Sequence, residues 1–378
     1  MKLGIVTTSY PRFAGDPAGS FVAGHAAALR ALGHDVEVVA AGARHARGDA
    51  SRDDAPGDRF PVLRLGGAQL FDQGGAPDAL ERAPLGAGAR AAVFAVRMTA
   101  AVAVRARRWD AIIAHWLVPS AIAALPSARP LVAIAHGGDV FTLRRLHLLG
   151  PALYALHRRG ARLVFVSEHL RAIARDAAPA LAAWLDGAIV QPMGIELARF
   201  AALDRAPSDP PIVLAAARLV PIKGIDVAIA AMRHVQRGAR LVVAGDGPER
   251  ARLTAAARAH TFLGQVTTVR RDELLRTASV VVVPSRRLPS GRVEGTPLIA
   301  LEALAAGVPV IASAIGGLLD IPGVRLVPPE DPYELARAID HVLADPPSPE
   351  ALRAGVAGLD WREVAPHLLR GETGPPRT

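Results

Sequence analysis

Short runs of apolar, largely β-branched residues recur along this chain, separated by alanine-rich stretches of helical length. In the first half they are LGIVTT (3–8), DVEVVA (35–40), AIIAHW (111–116), PLVAIAH (130–136), ARLVFVS (161–167) and GAIVQPM (187–193), and FVAGHAAALRALGH (21–34) reads as a helix between the first two. Strands alternating with helices are the pattern of a parallel sheet covered by helices on both faces. The polar, proline-rich stretch LDRAPSDPP (203–211) reads as a linker. A second series follows: IVLAAAR (212–218), ARLVVAGD (239–246), SVVVVPS (279–285) and VPVIAS (308–313).

A chain of 378 residues has room for two such domains. The expectation is an α/β protein of two doubly wound domains, residues 1–200 and 211–345, with a tail at 346–378. Within the tail GLDWREVAPHLLRGE reads as a helix carrying Trp361, and the final TGPPRT is expected to be disordered. Two such domains imply a cleft between them, and in doubly wound sheets ligands sit at the carboxyl ends of the strands.

Composition narrows the partners. The chain is 51% hydrophobic but only 4% aromatic, so its core must be built from Ala, Val, Leu and Ile. It has no cysteine, which excludes disulfides and thiolate metal sites and fits a cytosolic protein. The apolar run after Met1 is too short for a signal peptide. The most apolar segment, AAVFAVRMTAAVAV (91–104), is interrupted by Arg97 and reads as an amphipathic or packed helix, so a soluble protein is expected. Net charge is +9, yet only Lys2 and Lys223 are lysines. Such arginine dominance is what a GC-rich genome produces. No zinc spacing, aromatic RNA-binding motif or basic tail accompanies it, so no nucleic-acid partner is expected. Arg97, Arg105, Arg107 and Arg108 cluster around one helical segment, which would suit an anionic membrane surface; a solvated helix face is the plainer reading.

Chemistry concentrates in the second half. AARLVPIKGID (216–226) puts Arg218 and Lys223 five apart across a proline turn at a strand end, a fork and a compact charge suited to a diphosphate. AGDGPER (244–250) closes the next strand with Gly245 and Gly247, where a ligand could approach backbone. It stops short of G-x-G-x-x-G, which argues against a dinucleotide dehydrogenase. TFLGQV (261–266) offers another glycine turn, where backbone around Gln265 could face a nucleobase. EGTPLIALEALAAGVPVIAS (294–313) places Glu294 in a loop, Thr296 as helix N-cap, Pro297 at the first helical position and Gly307 as the stop. The amides of Gly295 to Leu298 could then hold phosphate. Glu302, among apolar neighbours, could take ribose hydroxyls, and Glu294 those of a sugar.

Arg218 with Lys223, the GDGPER turn, FLG, and two glutamates separated by seven residues together resemble the retaining glycosyltransferase family 4, of the two-domain GT-B fold. The likeness is strongest over 212–317. It implies two Rossmann-like domains with a last helix, around Trp361, returning to the first. It implies transfer of a sugar from a nucleotide-diphosphate sugar to a glycan, lipid-linked or polysaccharide acceptor, with retention. Arg218, Lys223, Glu294 and His136 would be its catalytic residues. Gly15, Gly19, Gly245, Gly247, Gln265, Gly295, Thr296, Pro297, Leu298 and Glu302 would bind the donor.

The first half resembles the family in SYPRFAGDPAGSF (9–21), where Gly15 and Gly19 loosen a loop, in AHWLVPSA (114–121) and in AHGGDV (135–140). His136 matches a histidine that contacts the donor sugar, and Ser167 and Glu168 fall where the family places cleft residues. His115 reads equally as a ligand contact or as a strand-end histidine packing beside Trp116. No D-x-D pair occurs, so cations would stand in for a metal, and no cofactor is expected. Both glutamates lie on one side of a loop and helix, which favours same-face attack over a covalent nucleophile. SRRLPSGRVEGTP (285–297) is longer than the family's usual link, so Arg286, Arg287 and Arg292 could reshape the donor pocket. Thr296 stands where an aromatic is common. A nucleotide-sugar 2-epimerase and a non-catalytic partner subunit are the alternatives.

Overall fold

The computed structural model describes residues 1–42, 61–67, 84–257 and 259–370; the terminal TGPPRT lies outside them. The chain forms two compact units. One is Met1–Gly194 rejoined by the chain from Trp361, and the other is Ile195–Asp360.

The first unit holds a seven-stranded sheet of β1 (Lys2–Thr7), β2 (Asp35–Ala40), β3 (Val62–Arg64), β4 (Ala111–His115), β5 (Leu131–Ala135), β6 (Arg162–Phe165) and β7 (Ile189–Val190). Their order is β3-β2-β1-β4-β5-β6-β7, and every pairing is parallel. The second unit repeats the plan with β8 (Ile212–Ala216), β9 (Arg240–Ala244), β10 (Thr261–Gly264), β11 (Val280–Val283), β12 (Val310–Ser313) and β13 (Arg325–Val327). Its order is β10-β9-β8-β11-β12-β13, again all parallel. In both sheets the direction of winding reverses beside the first strand, between β1 and β4 and between β8 and β11. Doubly wound sheets open a ligand crevice at that switch point. Central strands are buried on both faces, β4, β5 and β11 wholly so, which is why they read as continuous apolar runs.

All ten strands expected from the sequence are present. β3, β10 and β13 are additional; the sequence reading took TFLGQV for a glycine turn, whereas Thr261–Gly264 pairs with β9. The polar stretch at 203–211 is held against the second unit. Arg205 donates to the carbonyls of Gly307 (2.7 Å) and Ala278 (2.8 Å), and the amides of Ala206 and Ser208 donate to Arg276 and Thr277. The passage between units therefore falls upstream, at Gly194–Ile195.

The last helix, Trp361–Arg370, packs on the first helix, Ser20–Ala31. Trp361 fits because its neighbours lack side chains: a Cβ on Gly24 or Gly194 would lie 2.5 Å from the indole. The helix Pro84–Arg105 buries Phe94, Met98 and Val102 while its outer face stays apolar. Val93, Val96 and Val104 are 53%, 70% and 66% exposed. The span Gly86–Arg108 is long and apolar enough, by length and composition, to cross a membrane. Arg105 does not join the outward arginines expected there, because it pairs with Glu37, which also accepts from Trp109 Nε1 at 2.8 Å. Arg90, Arg97, Arg107 and Arg108 remain exposed.

Candidate active site

In the second unit the loop after β8 and the loop after β11 meet at the switch point. Lys223 ends a short turn, Pro221–Lys223, and its Nζ lies 2.9 Å from Glu294 Oε1, with the two side chains only 16% and 13% exposed. Backbone contacts fix this meeting. Arg286 N donates to Ile222 O at 2.9 Å, and a Cβ on Gly224 would come within 2.0 Å of Pro284 O. The loop carrying Glu294 is braced from the other side, where Gly317 N donates to Glu294 O. Arg218 is exposed on the β8 loop. Of the three arginines expected near the donor pocket, Arg286 pairs with Asp226 at 2.8 Å, Arg287 is exposed and Arg292 is buried.

Gly245 and Gly247 also serve the packing of the fold itself. A Cβ at these positions would lie 1.8 Å from Ala217 O and 2.4 Å from Leu219 O. Leu219 N donates to Asp246 O and Glu249 N to Leu219 O. The glycines therefore let the Arg218 loop lie directly against the β9 turn, backbone to backbone. Gln265 is exposed at the end of β10.

The helix after Glu294 is Leu298–Ala305. Its N-cap is Pro297 and not Thr296: Pro297 has an extended ψ of 117°, and its carbonyl accepts the first helical bond, from Ala300 N at 3.1 Å. Gly295, Thr296 and Pro297 thus precede the helix, and Leu298 opens it. Gly307 ends it at φ +71°. Glu302 is 7% exposed, and Arg271 donates to its Oε1 at 2.7 Å. Burial raises the Glu302 pKa; the Arg271 guanidinium opposes that shift without cancelling it. The apolar neighbours of Glu302 demanded a partner, but Arg271 comes from a separate helix, Thr268–Thr277, and spacing could not select it.

In the first unit, three histidines line up beside the carboxyl ends of β4 and β5. His115 ends β4 and His136 follows β5. His115 Nε2 lies 3.1 Å from His25 Nδ1 on the first helix, and His115 Nδ1 lies 3.0 Å from His136 Nε2. Trp116 and Phe21 pack on the His136 ring at centroid distances of 4.7 and 5.1 Å. Burial pushes His25 and His136 down to about 3 and His115 well below its ordinary value, so all three rings are neutral at neutral pH. Asp139 sets the corner, accepting from the amides of Leu117 (2.6 Å), His136 (3.1 Å) and Gly137 (2.9 Å). Trp116 holds φ +71°, a strained geometry of the kind that gathers at functional sites and costs roughly 1–3 kcal/mol.

The loop of residues 9–19 is tied, not loosened. Gly15 and Gly19 do take positive φ, 81° and 69°. Between them the buried Asp16 accepts from Arg12 N at 3.0 Å, Arg12 Nε at 2.6 Å and Ala18 N at 3.1 Å. Ser167 begins the helix Glu168–Ala177 at the end of β6, giving it no side-chain cap. Sequence reasoning missed His25, Asp139 and Asp16, each of which acts through a contact distant in sequence or along a folded loop.

The profile of Glycosyl transferases group 1 matches residues 202–356, and that of Glycosyltransferase Family 4 matches residues 18–182. The chain is 30% identical over 296 residues to a glycogen synthase of Mycobacterium tuberculosis, covering 69% of this chain and 68% of that one. It is 36% identical over 149 residues to an uncharacterized glycosyltransferase of Methanocaldococcus jannaschii, 36% of this chain and only 37% of the relative's length. Among solved structures, Anabaena HepE in complex with UDP-glucose aligns with a TM-score of 0.68 at 19% identity, over 98% of each chain.

Proposed function

This chain belongs to the family 4, group 1 glycosyltransferases, of the GT-B fold, and we propose that it transfers a sugar, with retention, from a nucleotide-diphosphate sugar to a glycan, lipid-linked or polysaccharide acceptor. The observation that carries the proposal is the Lys223–Glu294 pair at the switch point of the second sheet. A cation and a carboxylate 2.9 Å apart can divide the donor between them, Lys223 toward the diphosphate and Glu294 toward sugar hydroxyls. Arg218 and the amides around Leu298 add positive potential where the leaving diphosphate gathers charge. Glu302, steadied by Arg271, takes ribose hydroxyls. His136 contacts the sugar. The acceptor attacks from the face the diphosphate leaves, and the departing phosphate takes its proton.

Calorimetric titration with UDP, GDP and ADP, with and without magnesium, tests the donor site. One nucleotide should bind without metal. Lys223→Ala should weaken it by about 1.5–3 kcal/mol, roughly 10- to 150-fold, because it removes a cation and leaves Glu294 facing the diphosphate. A folded Lys223→Ala protein with wild-type affinity would take Lys223 out of the phosphate site. A 2-epimerised sugar formed without acceptor would favour the epimerase reading. A folded wild-type protein that binds no nucleotide would favour a partner subunit without turnover.

The work is done in the cytoplasm at the membrane surface. Support comes from the helix Pro84–Arg105, whose exposed arc of Ala92, Val93, Val96, Ala100, Ala103 and Val104 is flanked by Arg90, Arg97 and Arg108 and has no acidic residue. Such a face suits the interface of an anionic bilayer. The protein should co-sediment with vesicles of phosphatidylglycerol and phosphatidylcholine and not with phosphatidylcholine alone. Arg97→Gln should cost about 1 kcal/mol, roughly fivefold in partitioning. Equal recovery with both vesicle types would remove this contact.

A further inference from the structure

The three histidines of the first unit form a line, not a cluster: each nitrogen contact joins one ring to the next. His25 and His115 are fully buried. His25 Nε2 is buried with no hydrogen-bond partner, and the flat of its ring stacks on Trp361 at 5.0 Å and 9°. His136, at the other end, is partly exposed.

A neutral imidazole carries one N–H and one bare nitrogen. Three neutral rings joined by two N···N hydrogen bonds therefore have only two proton arrangements. In one, every proton sits on Nδ1: His25 donates to His115, His115 donates to His136, and His136 turns an Nδ1–H outward. In the other, every proton sits on Nε2, the bonds run backward, and His25 is left with a buried N–H that nothing accepts. Orphaned buried N–H groups are rare in folded proteins, rarer than unused acceptors. The only difference in hydrogen-bond satisfaction between the arrangements lies at the dead end under Trp361, and that end selects the first.

We infer that His25 and His115 are positioning residues that hold His136 as the Nδ1–H tautomer, so that it presents a hydrogen-bond donor, and no acceptor, to an oxygen of the bound sugar. The choice of ligand rests on the proposed function; the tautomer does not. A donor at that point selects a sugar with a hydroxyl or carboxylate oxygen there and discriminates against the deoxy analogue, which would leave the N–H unpaired.

The test is long-range ¹H–¹⁵N correlation NMR of the histidine rings in the whole, ligand-free protein at neutral pH. The expected result is a protonated Nδ1 and a bare Nε2 for all three. A proton on Nε2 of His136 overturns the inference, with no variant needed. Trp361→Gln puts an acceptor against His25 Nε2 and so removes the dead end, and in that protein His136 should lose its uniform state and show both tautomers. His25→Phe only moves the dead end to the buried Nε2 of His115, so His136 should stay Nδ1-protonated there, and a mixture of tautomers would count against the inference. An unchanged, fully Nδ1-protonated His136 in folded Trp361→Gln would show that the relay does not set the tautomer. Adding nucleotide sugar separates the two readings. If the tautomers are as expected but the His136 resonances do not move on donor binding, the relay stands and the sugar contact falls.

Discussion

Replacing Arg271 with alanine is expected to destabilise the protein by about 3–5 kcal/mol, the scale for breaking a buried ion pair from one side. Arg271 stands between two demands. Its guanidinium donates to Glu302 at 2.7 Å and lies 5.4 Å from the centre of the Phe200 ring. Glu302 is held on a helix whose neighbouring Leu301, Ala303 and Leu304 are buried, so it cannot turn to water when its partner is lost. Burial already raises its pKa against the pull of Arg271. Without Arg271 the carboxyl should take up a proton on folding, so the deficit should shrink as pH falls. The paired change Arg271→Leu with Glu302→Leu should recover much of the loss, since apolar replacements of buried pairs are often neutral. Glu302→Gln alone should keep the fold and weaken nucleotide binding. Urea unfolding at two pH values decides the matter. A loss below 1 kcal/mol for Arg271→Ala would mean that water screens the pair.

Acidification should unfold the protein through its histidines. A histidine whose pKa is depressed by folding adds stability that is whole above its unfolded value and is lost as pH falls toward its folded one. For His25 the folded value is about 3 against an ordinary 6.5, so the window runs between them. Within it His25 should cost about 1.4 kcal/mol per pH unit, with His115 and His136 adding in the same direction. Asp16 is raised by burial but lowered further by hydrogen bonds from Arg12 and Ala18, ending below 3.8, so its loss comes at lower pH. Asp139 and Glu302 are raised by burial and act in the opposite sense over the upper part of the window. Comparison of wild type with His25→Phe isolates the term. Between pH 6 and 4.5 the wild-type stability should fall more steeply by about 1.4 kcal/mol per unit; parallel curves for the two proteins would sink the idea.

Most of the fold was legible because parallel strands are buried on both faces. A strand such as Val280–Val283 has no polar side to disguise it, and its apolar run identifies it without knowledge of its neighbours. The glycine stop at Gly307 and the placement of Lys223 and Glu294 after strands are likewise local. Thr296 shows the limit of local reading: a good capping residue was displaced because the following proline took an extended ψ and supplied the capping carbonyl. Gly245 and Gly247 show another. Their presence was plain, but the side chain they exclude would have struck the Arg218 loop, not only an approaching ligand.

The amino-acid order alone therefore determined the α/β class, ten strands, the strand-end positions of the candidate residues and the family likeness, since each depends on periodicity or short spacing. Tertiary structure alone decided the pairings: Lys223 with Glu294 across the switch point, Arg271 with Glu302 between helices, and His25 with His115 and His136 in one line. Those contacts are set by strand order and by the return of Trp361 to the first unit. Neither leaves a periodic trace in the chain, because partners 31, 71 and 90 positions apart become neighbours only when the sheets have wound.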